Sequence, residues 1–168
     1  MKAIFGLVLL ALFMLLPLGC ESTGGTGYGY MATGLNEESI VELFAVSDAA
    51  INEQDYVTYS SLLGPGYTSR DSSSKFGATQ KIQSKVEYLD EVKPIFDDAK
   101  YVRMYTTIMT MEFDEQKQTA KVKVREEQDM DYQGRETRYV SLVDVEVGYE
   151  DGWVFFKSSD KTAMQEIR

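Results

Sequence analysis

The strongest constraint on this chain is a change in the spacing of its apolar residues near Pro94. Before that point they recur three and four residues apart, as on amphipathic helices; after it they alternate with polar residues, as on half-buried strands. Asn36 is a good N-cap, Glu37 and Glu38 suit a first turn, and Ile40, Val41, Phe44 and Ile51 mark the buried stripe of a first helix. Asp55 caps a shorter second helix carrying Tyr56, Tyr59, Leu62 and Leu63, which Gly64-Pro65-Gly66 stops. Residues 67–71 read as a short extended piece and 72–75 as a polar loop. Ile82, Val86, Leu89 and Val92 predict a third helix that Pro94 ends. β-branched and aromatic runs then predict strands over 101–113, 120–125, 139–149 and 153–156. Three helices followed by an antiparallel meander make an α+β domain.

Ahead of this domain lies Lys2, an uncharged stretch from Ala3 to Leu18, and the sequence Leu16-Pro17-Leu18-Gly19-Cys20. A basic start, an apolar middle and small residues at the cut are the three parts of an export signal, here residues 1–19. The stretch is short for a spanning helix, which needs roughly 20 apolar residues. Its closing pentapeptide resembles the lipobox of bacterial lipoproteins. Gly19 and Cys20 fit that pattern; Pro17 stands where the family usually has leucine. The resemblance implies that Cys20 receives a diacylglyceryl group, becomes the mature N-terminus and makes the membrane a partner. Glu21, by resemblance to lipoprotein sorting in diderm bacteria, implies the periplasmic face of the outer membrane; in other hosts the anchor would be the cell membrane. Cys20 is the only cysteine, so no disulfide, thiolate nucleophile or cysteine metal site is available. Residues 20–35 read as a glycine-rich flexible tether. Gly25, Gly27 and Gly29 lack the preceding strand and following helix that a phosphate loop requires.

The formal charge is −10, and loss of Lys2 with the signal makes it one unit more negative. Such a balance disfavours nucleic acid, whose recognition depends on clustered Lys and Arg. The chain has no histidine, which removes the commonest general base near neutral pH and the commonest transition-metal ligand. Carboxylates and tyrosines are left for acid-base work.

Several short motifs, in order, resemble the nuclear transport factor 2-like superfamily, the cone fold that ketosteroid isomerases and polyketide cyclases share. They are residues 50–55 between the first two helices, Tyr67 to Asp71, Ala120-Lys121-Val122-Lys123-Val124, and Asp151-Gly152-Trp153-Val154-Phe155. The resemblance places this domain at residues 36–160, with 161–168 as a C-terminal tail. It implies three N-terminal helices on a strongly curved antiparallel sheet, a cavity at the wide end of the cone, and a capacity to form homodimers.

Within that frame Asp144 is the first candidate for a catalytic base, because it sits mid-strand in Val143-Asp144-Val145-Glu146-Val147. Alternation puts it with Val140, Leu142 and Glu146 on one face, opposite Tyr139, Val143, Val145 and Val147. An outward orientation would pair it with Lys121 or Lys123; an inward one would bury it and raise its pKa. Tyr56, Tyr59, Tyr67, Tyr105, Tyr139 and Trp153 are candidates for an aromatic ligand wall, with Tyr105, Tyr139 and Trp153 foremost. Asp129-x-Asp131-x-Gln133-Gly134 copies the start of a calcium loop, but Val140 occupies the position that needs a bidentate Glu, so a hairpin turn is expected. Ser72 with Lys75 and Ser158 with Lys161 have serine-lysine nucleophile spacing without companion motifs. No metal and no cofactor is expected. The sequence reads as an envelope module that binds a small apolar ligand or a protein without catalysis. Its alternative is an isomerase-like enzyme with an Asp/Tyr acid-base pair.

Overall fold

The computed structural model describes residues 28–73 and 81–167. The signal, Cys20, the tether up to Gly27 and Lys75 lie outside them. Strand β1 (Tyr30–Met31) precedes helices α1 (Glu37–Asn52) and α2 (Tyr56–Ser61). Strands β2 (Leu63–Asp71) and β3 (Lys81–Ser84) lead to α3 (Lys85–Asp98), and β4 (Tyr101–Phe113), β5 (Thr119–Tyr132), β6 (Arg135–Glu150) and β7 (Trp153–Glu166) follow. One seven-stranded sheet runs β3-β2-β7-β6-β5-β4, with β1 added to β7. Among the described residues no helix is long and apolar enough to cross a membrane.

The meander β4 to β7 is antiparallel, but β2 joins β7 in parallel, so the sheet is mixed rather than antiparallel throughout. β2 and β7 are separated along the chain by α3 and four strands. The pattern within each strand carries no record of their relative direction.

Bulges break the ladder between Ile108 and Thr110, between Leu142 and Val143 and between Glu146 and Val147. Each inserts a residue that bends its strand, and together they curl the sheet around the helices. Ile40 and Leu43 of α1 then meet Leu63, Val122, Val124, Val147 and Val154 in a fully buried core. α1 is also fastened to β4. Asp48 accepts hydrogen bonds from the Thr106 N–H and Oγ1, while Asn52 exchanges two with the Met104 backbone.

Besides β5 and β6, which run on to Tyr132 and start back at Arg135, beyond the expected 120–125 and 139–149, three boundaries differ from the sequence pattern. α2 ends at Ser61, and Gly64-Pro65-Gly66 lies within β2 instead of after a helix. The β2–β7 register skips from Leu63 to Thr68, so the N–H that proline lacks costs no ladder bond. Gly64 passes so close to Phe155 that a Cβ would stand 2.5 Å from its ring.

α3 starts three residues after Ile82, which belongs to β3; Ile82 and Val86 are both exposed. Ser84 and Glu87 form a capping box at its start, and the helix continues through Pro94 to Asp98. Pro94 withholds one hydrogen bond from the Asp90 carbonyl; both residues are exposed, so that carbonyl stands open to solvent.

The third difference is at the ends of the domain. β7 runs to Glu166, taking in most of the expected tail. Tyr30 and Met31 pair with Val154 and Trp153, while Gly29 donates to the Ser61 carbonyl and Ala32 to Gly152, so this part of the expected tether is built into the sheet. Gly29 has a φ of 97°, and a Cβ there would collide with the Val154 carbonyl.

Candidate functional site

Alternation along β5 places Ala120, Val122, Val124, Glu126 and Gln128 on its inner face. The first three are buried core, and Glu126 and Gln128 line a cavity of about 290 Å³ where the helices stand away from the sheet. Phe44, Tyr59, Tyr67, Tyr88, Phe96 and Phe156 supply its aromatic surface, and Val143, Val145, Val102 and Met104 its sheet wall. Arg70, Asp71 and Glu91, all exposed, mark the solvent side, where Lys161 and Gln83 also reach the lining.

The tyrosine hydroxyls are engaged with one another or with serine: Tyr59 with Tyr88 at 2.7 Å, and Tyr67 with Ser159 at 2.6 Å. Burial pushes all three phenols well above the ordinary tyrosine pKa, so they remain protonated donors at any physiological pH. Burial also raises the Asp48 pKa, against the lowering effect of its two Thr106 hydrogen bonds.

Glu126 differs from Asp48 in having no such support. Among the described residues it makes no hydrogen bond or ion pair, and the surface it retains faces the cavity. Its carboxyl pKa is raised by burial, which outweighs the lowering effect of Lys161, and the Asp48 charge adds a smaller push upwards. A carboxyl of this kind holds its proton more tightly than an exposed one, and can accept a proton from a bound molecule or serve as counterion to a bound cation.

Asp144 is elsewhere. It lies on the outer face of β6 with its side chain half exposed, 3.4 Å from Lys123 across the β5–β6 ladder. Asp144→Asn is therefore expected to change stability by no more than about 0.5 kcal/mol in urea denaturation, since exposed pairs contribute little. Tyr105 is 62% exposed on β4. Tyr139 shares the inner face with Gln128 by register but does not line the cavity, and Trp153 stands beside Met31 at the start of β7. Tyr56 packs edge-on against Phe96 outside the lining.

Of the six aromatic candidates, Tyr59 and Tyr67 reach the cavity. Tyr88 and Glu126 were not singled out from sequence. Extending the Ala120-Val122-Val124 alternation by one step would have found Glu126. The acidic motif at Asp129 runs into a two-residue hairpin turn, Gln133 (φ 53°) and Gly134 (φ 75°), and Asp131 lies 3.5 Å from Lys100. Ser158 and Lys161 reach different surfaces, Ser158 an outer groove and Lys161 the cavity.

No family model and no curated protein matches the sequence. Solved structures do. A conserved protein from Planctomyces limnophilus superposes with a TM-score of 0.66 at 12% identity, covering 78% of this chain and 97% of its own. A hexachlorocyclohexane dehydrochlorinase from Novosphingobium barchaimii gives 0.58 at 10% identity over 77% of this chain and 88% of its own. An NTF-2-like protein from Silicibacter pomeroyi gives 0.52 at 11% identity over 77% and 94%. At such identities the likeness is one of fold, and with three helices packed on a mixed, curved sheet the chain has the nuclear transport factor 2-like cone fold.

Proposed function

We propose that this chain is an exported lipoprotein, tethered through lipid on Cys20, whose cone cavity binds a small and largely apolar ligand. The observation that carries the ligand reading is the 290 Å³ space walled by aromatic rings, with one acid, Glu126, facing it that has no partner among the described residues. That volume is near the lower end of small-molecule sites, which are mostly apolar with a few placed polar groups. A thermal-shift screen of the protein against compounds small enough for the cavity tests it. A ligand at a hundred times its Kd adds about 2.7 kcal/mol of stability, a readily measured rise in melting temperature. A library without a single stabilising compound would count against the reading.

The tether rests on the sequence at residues 16–20, and the diderm outer membrane on Glu21. In a bacterial host fed labelled palmitate, the wild-type chain is expected to take up label and lose its leader. Cys20→Ala is expected to do neither, and unchanged labelling and cleavage would remove the lipoprotein reading.

A second reading is an acid-base enzyme with Glu126, not Asp144, as the proton-transferring group. The raised pKa of Glu126 favours it, and the dehydrochlorinase among the fold neighbours is itself an enzyme. Under this reading Glu126→Gln abolishes turnover of a bound compound and leaves its binding in place; under the first reading no turnover exists to abolish.

A further inference from the structure

The polar groups around the cavity are not balanced. Asp48 has both oxygens occupied by Thr106, and Glu91 is bonded to Lys81 and Gln83. The hydroxyls of Tyr59, Tyr67 and Tyr88 point to one another or to Ser159. None of these donors is given to Glu126, although all three tyrosines are near enough to feel its charge. Lys161 acts on Glu126 from outside ion-pair distance and also on Glu91. The lining carries four carboxylates, Asp48, Asp71, Glu91 and Glu126, against two basic side chains, Arg70 and Lys161. Arg70 is directed towards Asp160, 3.8 Å away.

Among the described residues the site therefore lacks one buried positive charge with hydrogens to donate. A neutral donor would satisfy the hydrogen bonding of Glu126 and leave its charge uncompensated in a medium of low polarity, where charge interactions are strongest. An ammonium group would supply both. The surrounding rings suit the rest of such a molecule: Tyr67 and Tyr88 pack against each other, 5.4 Å between centroids, as one wall for an apolar group.

We propose that the cavity takes a small organic amine in its ammonium form, with the Glu126 carboxylate as its counterion and the rings of Tyr59, Tyr67 and Tyr88 around its apolar part. This rests on the ligand-binding reading above and names the class of ligand.

Calorimetric titration of the full-length chain with benzylamine, benzyl alcohol and benzoate at pH 7 tests it, because the three probes share a ring and differ in charge. Benzylamine is expected to bind at least tenfold tighter than benzyl alcohol, and benzoate more weakly than both. Glu126→Gln is expected to bring benzylamine down to the affinity of the alcohol while leaving the alcohol unchanged, which also reports that the cavity is intact. Asp48→Asn is expected to keep the preference for the amine, because Thr106 already occupies that carboxylate.

Equal or tighter binding of the alcohol by the wild-type chain would overturn the amine assignment and leave the cavity a ligand site. Retention of the amine preference in Glu126→Gln would overturn the role of Glu126. Failure of all three probes would overturn the assignment, and the wider compound screen would then decide the ligand reading by itself.

Discussion

Replacing Glu126 with glutamine is expected to raise the stability of the protein at pH 7 by roughly 1–3 kcal/mol, because the amide carries no charge to strip of water, one pKa unit of such a penalty being about 1.4 kcal/mol. At about 2–4 °C per kcal/mol for a chain of this size, the melting temperature should rise by several degrees. The pH dependence identifies the cause. The folded chain holds the Glu126 proton more tightly than the unfolded chain does, because burial and Asp48 raise its pKa. That proton contributes stability below the ordinary glutamate pKa, and the contribution is lost as pH rises through the folded value. The variant has no such proton to lose. Its advantage should therefore be small at pH 4 and grow towards neutrality. The groups facing Glu126, namely Asp48, Lys161, Tyr59, Tyr67 and Tyr88, are present in both proteins, so the difference between the two curves isolates the one carboxyl. Equal pH profiles, followed by calorimetry, would show that Glu126 is not the strained acid of the cavity.

The largest loss is expected from Leu43→Ala, about 2–5 kcal/mol by denaturant titration. Leu43 has no exposed surface and packs into the closed end of the cone, where truncation leaves a sealed void. Ile51, two turns later on α1, lines the cavity and is only half-buried. Ile51→Ala should cost less, since the removed atoms extend a space already open to solvent. A cost at Ile51 equal to that at Leu43 would mean that the cavity end is as tightly packed as the core.

Helix α1, strand β4 and the inner valines of β5 and β6 were readable because each depends on a local pattern: a cap followed by an apolar stripe, or strict alternation. What the pattern concealed was set at a distance. Nothing in Leu63 to Asp71 says that it will run parallel to a strand almost a hundred residues later, and Gly64-Pro65-Gly66 resembles a stop signal unless the gap in the ladder is known. Ile82 fits the stripe of α3 by spacing, yet Ser84 and Glu87 form the stronger start signal and leave Ile82 outside the helix.

The site was partly readable for the same reason. Asp144 attracted notice by interrupting valines, and its own alternation opposed it to the core valines that surround it in sequence. Glu126 sits beyond the most recognisable part of its strand, where Arg125, Glu126 and Glu127 look like solvated charge. Carrying the valine alternation one step further turns the middle one of the three inward, and the depth of the curled sheet encloses it.

The pairing of Tyr30 and Met31 with the first residues of β7 fixes where the described chain joins the sheet. The chain enters at Trp153, whereas the solvent side of the cavity lies at the level of Asp71 and Lys161, eight residues further along the same strand. At about 3.3 Å per residue that is some 25 Å of rigid spacer. The point where the described chain joins the sheet and the opening of the cavity thus lie towards opposite ends of β7, so a load applied at Tyr30 reaches the cavity only through the length of that strand.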